Sequence, residues 1–297
     1  MKKPKVTVLL PVYNGEGYLA EAIESILQQT LRDFEFLIIN DGSTDHSLEI
    51  VSHYKDSRLH IVSRSNKGLI ATLNEGIELA KAPLIARMDQ DDISKPDRLS
   101  KQVGDMERHP ETILLGSGAQ IIDSTGAIIG ARAILNGSTL LQRALAVTNP
   151  FVHGSVVFRK EAAVLAGGYR EAAYLTEDYD LWSRLTQQGE VNNYSEYLYY
   201  WRVNPTGMSF TGNKDQKKAS MRLANSIWKR FEPQGPAPRS DWSSLWPQTD
   251  NNVNQKDSRI LLHWLFGRGY ARRGHLVTAI EHLVTALGLS KNLFRPK

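Results

Sequence analysis

The 297-residue chain has no cysteine, which excludes a disulfide framework and any thiolate metal site. No apolar run approaches the length of a membrane span. No secretory leader is visible and none is expected, because residues 1–5 run straight into a strand-like stretch. No G-x-G-x-x-G follows that stretch, which argues against a dinucleotide oxidoreductase. The loop there reads PVYNGEG and carries no arginine, unlike the phosphate loops of sugar-phosphate nucleotidyltransferases. There is no repeat array and no long low-complexity tract. The expectation is a cytoplasmic protein that touches a membrane, if at all, at its inner face.

The 41% hydrophobic content is enough for a substantial core. The net charge of +4 hides an asymmetry. Residues 214–297 hold 15 Lys+Arg against 6 Asp+Glu, and residues 1–213 hold 21 against 26. A basic tail on an acidic body points to a second module with its own surface, or to an ordinary solvated face.

The most informative stretch is ARMDQDDI, residues 86–93. An apolar run at 84–88 reads as a buried strand, and it ends in Asp89, Asp91 and Asp92. Carboxylates this close repel one another, so they need a bound cation or a cationic neighbour. In an extended segment Asp89 and Asp91 share one face and Asp92 takes the other. Mg2+ commonly sits on one or two carboxylates plus substrate phosphates. The carboxyl end of a strand is where open α/β sheets bind ligands. The alternative is an acidic loop before the helix that starts near Pro96.

Upstream, apolar runs at 6–10, 34–39 and 59–62 read as strands, the first stopped by Pro11. They alternate with helical patterns at 19–27, up to Val51, and at 69–80. Ser43 or Thr44 is the expected cap of the second helix. This alternation argues for a parallel sheet covered by helices. After Pro96 the pattern mixes α and β. Strands are expected at 113–116, 120–122, 127–129, 155–158 and 191–203, and helices at 99–106, 140–147 and 177–188. From 214 a basic helix is expected through 231, with Leu223, Ala224, Ile227, Trp228 and Phe231 on one side. A linker over 232–254 and a helical hairpin over 259–289 follow.

The order PVYNGEGYL, INDGSTD, ARMDQDDI, TEDYDLW resembles the family 2 glycosyltransferases of the GT-A fold, over residues 6–202. The resemblance implies an α/β fold, a Rossmann-like mixed sheet flanked by helices, here with a C-terminal helical appendage. It also implies a nucleotide-diphospho-sugar donor, usually UDP-linked, Mg2+ or Mn2+, and inversion at the anomeric carbon. Carried over residue by residue, Pro11, Tyr13 and Asn14 meet the nucleotide, and Asp41 reaches base or ribose. Lys67 and Gly68 line the nucleotide edge. Asp89 and Asp91 serve ribose and metal, and Asp178 is the base. Asp92, His153 and Glu177 fall in the acceptor or donor-sugar vicinity, and Arg202 near the departing diphosphate.

Each assignment has a plainer reading. Asp41 in a turn, a solvated Arg64, a structural His153 and a surface-paired Arg202 are all ordinary. Glu177, Asp178 and Asp180 would also suit a helix N-terminus through its dipole. The Q-x-x-R-W motif of processive synthases is absent; Trp201-Arg202 stands in reversed order.

The expected organisation is a 1–213 glycosyltransferase domain, with a nucleotide-sugar half at 1–95 and an acceptor half at 96–213, followed by the basic 214–297 segment. The expected activity is sugar transfer to a glycan or lipid-linked acceptor in cell-surface polysaccharide synthesis. A sugar-phosphate nucleotidyltransferase and a non-catalytic nucleotide-sugar-binding subunit are the alternatives. The 214–297 segment is expected to touch a membrane peripherally or to join copies of the chain, and no nucleic acid partner is expected.

Overall fold

The computed structural model describes residues 3–132, 134–204 and 213–231. The expected linker at 232–254 and hairpin at 259–289 lie outside the described residues. Three strands, β1 (Val6–Val12), β2 (Phe34–Asp41) and β4 (Leu84–Arg87), are buried along their whole length. Unbroken apolar sequence is what a parallel strand covered on both faces requires. With β3 (Leu59–Arg64) at the edge, they form the parallel block β3-β2-β1-β4.

The sheet then turns mixed. β8 (Val157–Arg159) pairs antiparallel with β4 and with β6 (Thr112–Ile122). β6 runs parallel to β9 (Glu190–Arg202), and β9 takes β5 (Ile93–Ser94) on its other side. β7 (Ile128–Ala131) adds to β6 as a hairpin, making nine strands among the described residues. Both expected halves of the 1–213 region thus contribute strands to one sheet.

Two apolar layers cover it. One side packs α1 (Leu19–Leu27) and α4 (Arg98–Arg108) through Ile23, Ile26, Leu99 and Val103 against Val8, Leu10, Phe36 and Ile38. The other packs α3 (Leu69–Leu79) and α7 (Glu177–Leu185) through Leu73, Ile77, Leu181 and Trp182 against Leu9, Leu37, Ile39 and Ile85. Odd and even residues of β1 therefore serve opposite layers, and each fully buried Leu or Ile contributes about 1.5–3 kcal/mol.

Several expected boundaries shift for local reasons. Pro11 does not stop β1, which pairs with β2 through Val12. The Leu9 carbonyl accepts from Met88 N on the β4 side, so Pro11, two residues on, turns its missing donor to that same side. β4 pairs with β1 only as far as Leu9, and no ladder bond is lost. The expected strands at 113–116 and 120–122 are one strand, bulged against β9. α2 (Ser47–His53) starts later than Ser43 or Thr44 would place it. Asp45 Oδ1 instead accepts from Ser47 N at 3.0 Å.

Behind α7 lies α8 (Asn213–Phe231). Ala224 and Ile227 are buried in the α7 layer with Leu223 beside them, while Lys214, Lys217, Lys218, Arg222 and Lys229 are exposed. Leu223, Ala224 and Ile227 of the expected stripe are thus turned inward. The Trp228 and Phe231 side chains lie outside the described residues.

One close approach sets the spacing of α3 over β1. A Cβ at Gly76 would sit 2.3 Å from Leu9 Cδ1 and 2.5 Å from Cδ2. Leu9 is fully buried and has nowhere to go. Gly76→Ala should destabilise the protein by a net of about 1–2 kcal/mol, overpacking outweighing the helix-propensity gain. Urea unfolding measures this, and a variant as stable as wild type would contradict it.

Candidate active site

The site forms where the parallel strands end. The loop after β1 is sewn to the loop after β2. Asn14, at φ +48°, takes the left-handed conformation that Asn tolerates. That turn aims Asn14 Oδ1 at Thr44 N (2.8 Å), while Asn14 N donates to Ser43 Oγ (3.1 Å) and Gly15 N to Ser47 Oγ (2.9 Å). Gln90 grips the same loop, its Oε1 accepting from Tyr13 N (2.9 Å) and its Nε2 donating to Tyr13 O (3.0 Å). A side chain at Gly15 would strike it, since a Cβ there lies 2.5 Å from Gln90 Oε1. Pro11 is buried beneath this rim, and Tyr13 stands half-exposed on it.

At the end of β2 the buried Asp41 is heavily engaged. Its Oδ1 accepts from Lys67 N (2.8 Å), its Oδ2 from Gly68 N (3.0 Å), and Arg64 pairs with it. Arg64 also holds Glu75 (2.6 Å) and Thr72 Oγ1 (2.8 Å), so it is paired within the chain and not simply solvated. Asp41 shapes the loop that leads into α3. Lys67 meets Asp41 through its backbone and leaves its side chain exposed, and Gly68 starts α3 at φ +85°.

The aspartate cluster closes the end of β4. Its cationic neighbours are protein groups. Arg87, 2% exposed, donates from Nη2 to Asp89 Oδ1 at 2.6 Å. Arg98, fully buried, donates to the carbonyls of Arg87 (2.8 Å) and Val156 (3.3 Å), and burial lowers its pKa to about 10. Asp92 turns inward, Oδ1 accepting from Arg202 N at 2.7 Å. Burial first, then Asp89 and Asp91, push its carboxyl well above the usual range. Asp91 Oδ2 accepts from Asn204 Nδ2 at 3.0 Å, and burial followed by Asp89 raises it too.

Arg202 is engaged by groups of the chain itself. Its guanidinium donates to Asp91 O (2.9 Å) and Asp123 O (3.1 Å), pairs with Glu21, and lies 4.4 Å from the Tyr18 ring centroid. Only 4% of the residue is exposed. It bolts β9 to the cluster and to α1.

His153 sits in a 3-10 turn (His153–Ser155), its Nε2 accepting from Arg87 Nε (3.3 Å) and meeting Tyr169 Oη (3.1 Å). Burial, then Arg87, drives its pKa well down, so the ring is neutral and steadies Arg87. Next to it, a Cβ at Gly154 would lie 2.0 Å from Tyr199 Oη and 2.7 Å from Asp89 Oδ2. The cradle of Asp89 is thus closed by a residue without a side chain.

No group of three or more His, Asp or Glu among the described residues is arranged to hold a metal unaided. Asp89 and Asp91 each have one oxygen engaged within the chain. Two hard oxygen donors at a strand end fit an ion that completes its shell with phosphate and water.

Across from the cluster in sequence, α7 begins Glu177-Asp178. Asp178 Oδ2 accepts from Asn149 Nδ2 and Oδ1 from Tyr179 N, both at 2.7 Å. Burial raises its pKa, opposed by those two donors. Glu177, 8% exposed, rises to about 7 through burial and the neighbouring Asp178. Asp180 plays a different part, bonded to Arg184 at 2.6 Å, which in turn caps the Gly168 carbonyl at 2.7 Å. Sequence reasoning did not single out Arg87, Arg98, Gln90, Asn149, Arg132 or Tyr199. The need of three close carboxylates for counter-charge was the one signal pointing at the two arginines.

The family model described as "Glycosyl transferase family 2" matches residues 7–165. The amylovoran biosynthesis glycosyltransferase AmsE of Erwinia amylovora is 38% identical over 62% of this chain and 70% of its own. The O-antigen biosynthesis glycosyltransferase WbnJ of Escherichia coli is 31% identical over 76% and 90%. Among solved structures, TarS of S. aureus in complex with UDP-GlcNAc superposes with a TM-score of 0.60 at 16% identity, covering 97% of this chain and 93% of that one. The mannosyltransferase PcManGT of Pyrobaculum calidifontis, in complex with GDP-Man and Mn2+, gives 0.58 at 16% identity, covering 98% and 77%. The architecture is that of the GT-A glycosyltransferases.

The raised Glu177 carboxyl makes a signed prediction. Its pKa of about 7 exceeds the ~4.3 of an unfolded chain. Its contribution to stability is therefore full below about pH 4.3 and is lost as pH rises through about 7. Glu177→Gln should melt with wild type near pH 4 and above it at pH 8. An equal offset at both pH values would reject the assignment.

Proposed function

The chain belongs to glycosyl transferase family 2, and from that premise we propose that it transfers a sugar from a UDP-linked donor to an acceptor hydroxyl with inversion. Residues 1–213 form the catalytic unit. The observation that carries the reading is the convergence of two carboxylate groups. Asp89 is anchored by Arg87, Arg87 donates to His153, and Asn149, four residues before His153, donates to Asp178, so one short segment ties the cluster to the base.

Asp178 receives the acceptor's proton as its oxygen attacks, and no protein nucleophile is needed in a single displacement. A Mg2+ or Mn2+ held by Asp89 and Asp91 would supply Lewis-acid neutralisation of the leaving diphosphate. The Mn2+ complex of PcManGT supports such an ion. Tyr13, Asn14, Asp41, Lys67 and Gly68 build the nucleotide rim. His153 and Asp92 act from beneath, by fixing Arg87 and β9. The relatives that serve amylovoran and O-antigen synthesis support a glycan or lipid-linked acceptor in cell-surface polysaccharide assembly.

Asp178→Asn should lower transfer roughly 10²-fold or more while donor affinity persists. Calorimetric titration with UDP-GlcNAc and Mn2+, beside product release with and without EDTA, separates these effects. A near-normal rate in the variant overturns the base, and indifference to EDTA overturns the metal.

We also propose a peripheral contact of α8 with anionic membrane at the cytoplasmic face. None of the described helices is long and apolar enough to cross a membrane. With Ala224 and Ile227 packed inward, the contact is electrostatic, through Lys214, Lys218, Arg222 and Lys229. Full-length protein should float with phosphatidylserine vesicles at low salt and be released at high salt. Failure to float at low salt removes the contact.

A further inference from the structure

Asp178 has more company than its helix provides. Asn149 stands in the loop between α5 (Ser138–Ala144) and the His153–Ser155 turn. Its Oδ1 accepts from Phe151 N at 3.1 Å, which fixes the amide plane. That leaves Nδ2 aimed at Asp178 Oδ2, 2.7 Å away. From the far side Arg132 Nη2 donates to the Asn149 carbonyl at 3.1 Å, with its guanidinium 5.9 Å from the Trp201 ring centroid. The donor to Asp178 is thus held at both ends before any acceptor arrives.

We infer that Asn149 is the positioning residue of the base, holding Asp178 in one rotamer and in its carboxylate form. The inference rests on the reading of Asp178 as base. An amide N–H donates only to the ionised or carbonyl oxygen, so it favours the charged form that burial disfavours. The groups acting on Asp178 set the balance. Burial and Asp89 beyond β4 oppose ionisation, while Tyr179 N, Asn149 Nδ2 and Arg132 favour it; Glu177 on the same helix and the Tyr169 hydroxyl are in turn pushed upward by the Asp178 charge. Removing one of the two hydrogen-bond donors tips the group toward the protonated acid, which cannot take a proton.

The test needs no substrate. The full-length protein, labelled with 13C at the aspartate carboxyl carbons, is titrated by NMR, and Asp178 is assigned by loss of its signal in Asp178→Asn. Asn149→Ala should move the Asp178 midpoint upward by about one unit, tenfold in proton affinity. Asn149→Asp keeps the acceptor for Phe151 N and replaces only the amide donor. It should move the midpoint further, because two carboxylates at that distance share a proton. In unaltered protein, the Asn149 side-chain amide resonances should follow the Asp178 midpoint, and they should stop titrating in Asp178→Asn. That arm decides the matter if both variants fail to fold. An unmoved midpoint in a folded variant, or amide resonances that ignore the Asp178 titration, overturns the positioning role. The base reading is judged separately, by the turnover of Asp178→Asn.

Discussion

Everything at the mouth of this sheet depends on one buried guanidinium. Arg87 ends β4 with 2% of its surface exposed and gives its charge to Asp89. A cation so placed tolerates burial only beside compensating charge, and carboxylates this crowded stay ionised only beside a cation. Each explains the other. Arg98, lying 5.1 Å from the Tyr199 ring centroid, adds a second positive charge beneath the same strand end. Asp92 and Asp91 then bear the residual strain as carboxyls pushed upward.

A single short segment couples this balance to the opposite wall. Asn149 reaches Asp178, His153 reaches Arg87, and Gly154 leaves space for Asp89 and Tyr199. Two groups of carboxylates, from strands and helices far apart in sequence, are thus set by residues 149–154. A shift in that segment would disturb both walls together.

The parallel block was legible because its strands are apolar without interruption and its helices are periodic. The acidic cluster was legible because it follows such a strand directly. Hydrogen-bond partners were not. Arg202 read as a cation near the departing diphosphate or in ordinary surface pairing, and the pairing of β9 with β5 and β6 carries it onto Asp91, Asp123 and Glu21. Asn149 gave no signal, since a lone Asn before Pro reads as a turn and its contact with Asp178 spans 29 positions. Pro11 misled in the other direction. A proline breaks a strand only where its N–H would have been used, and that depends on where the neighbouring strand ends.

The Arg202 bolt bears on how the protein is made. Asp92 finds its backbone donor 110 residues downstream, and Asp89 N finds the Tyr199 hydroxyl at the same separation. β5, too, finds its strand partner among the described residues only in β9. The segment that carries the acidic cluster therefore leaves the ribosome well before the strand that fixes it. At roughly 5–20 residues per second, that interval is about 5–20 s. Throughout it the strands of residues 6–87 can pair among themselves, while the carboxylates beyond them stay hydrated and unset. The acidic cluster is thus made early and is among the last parts of the described fold to be completed.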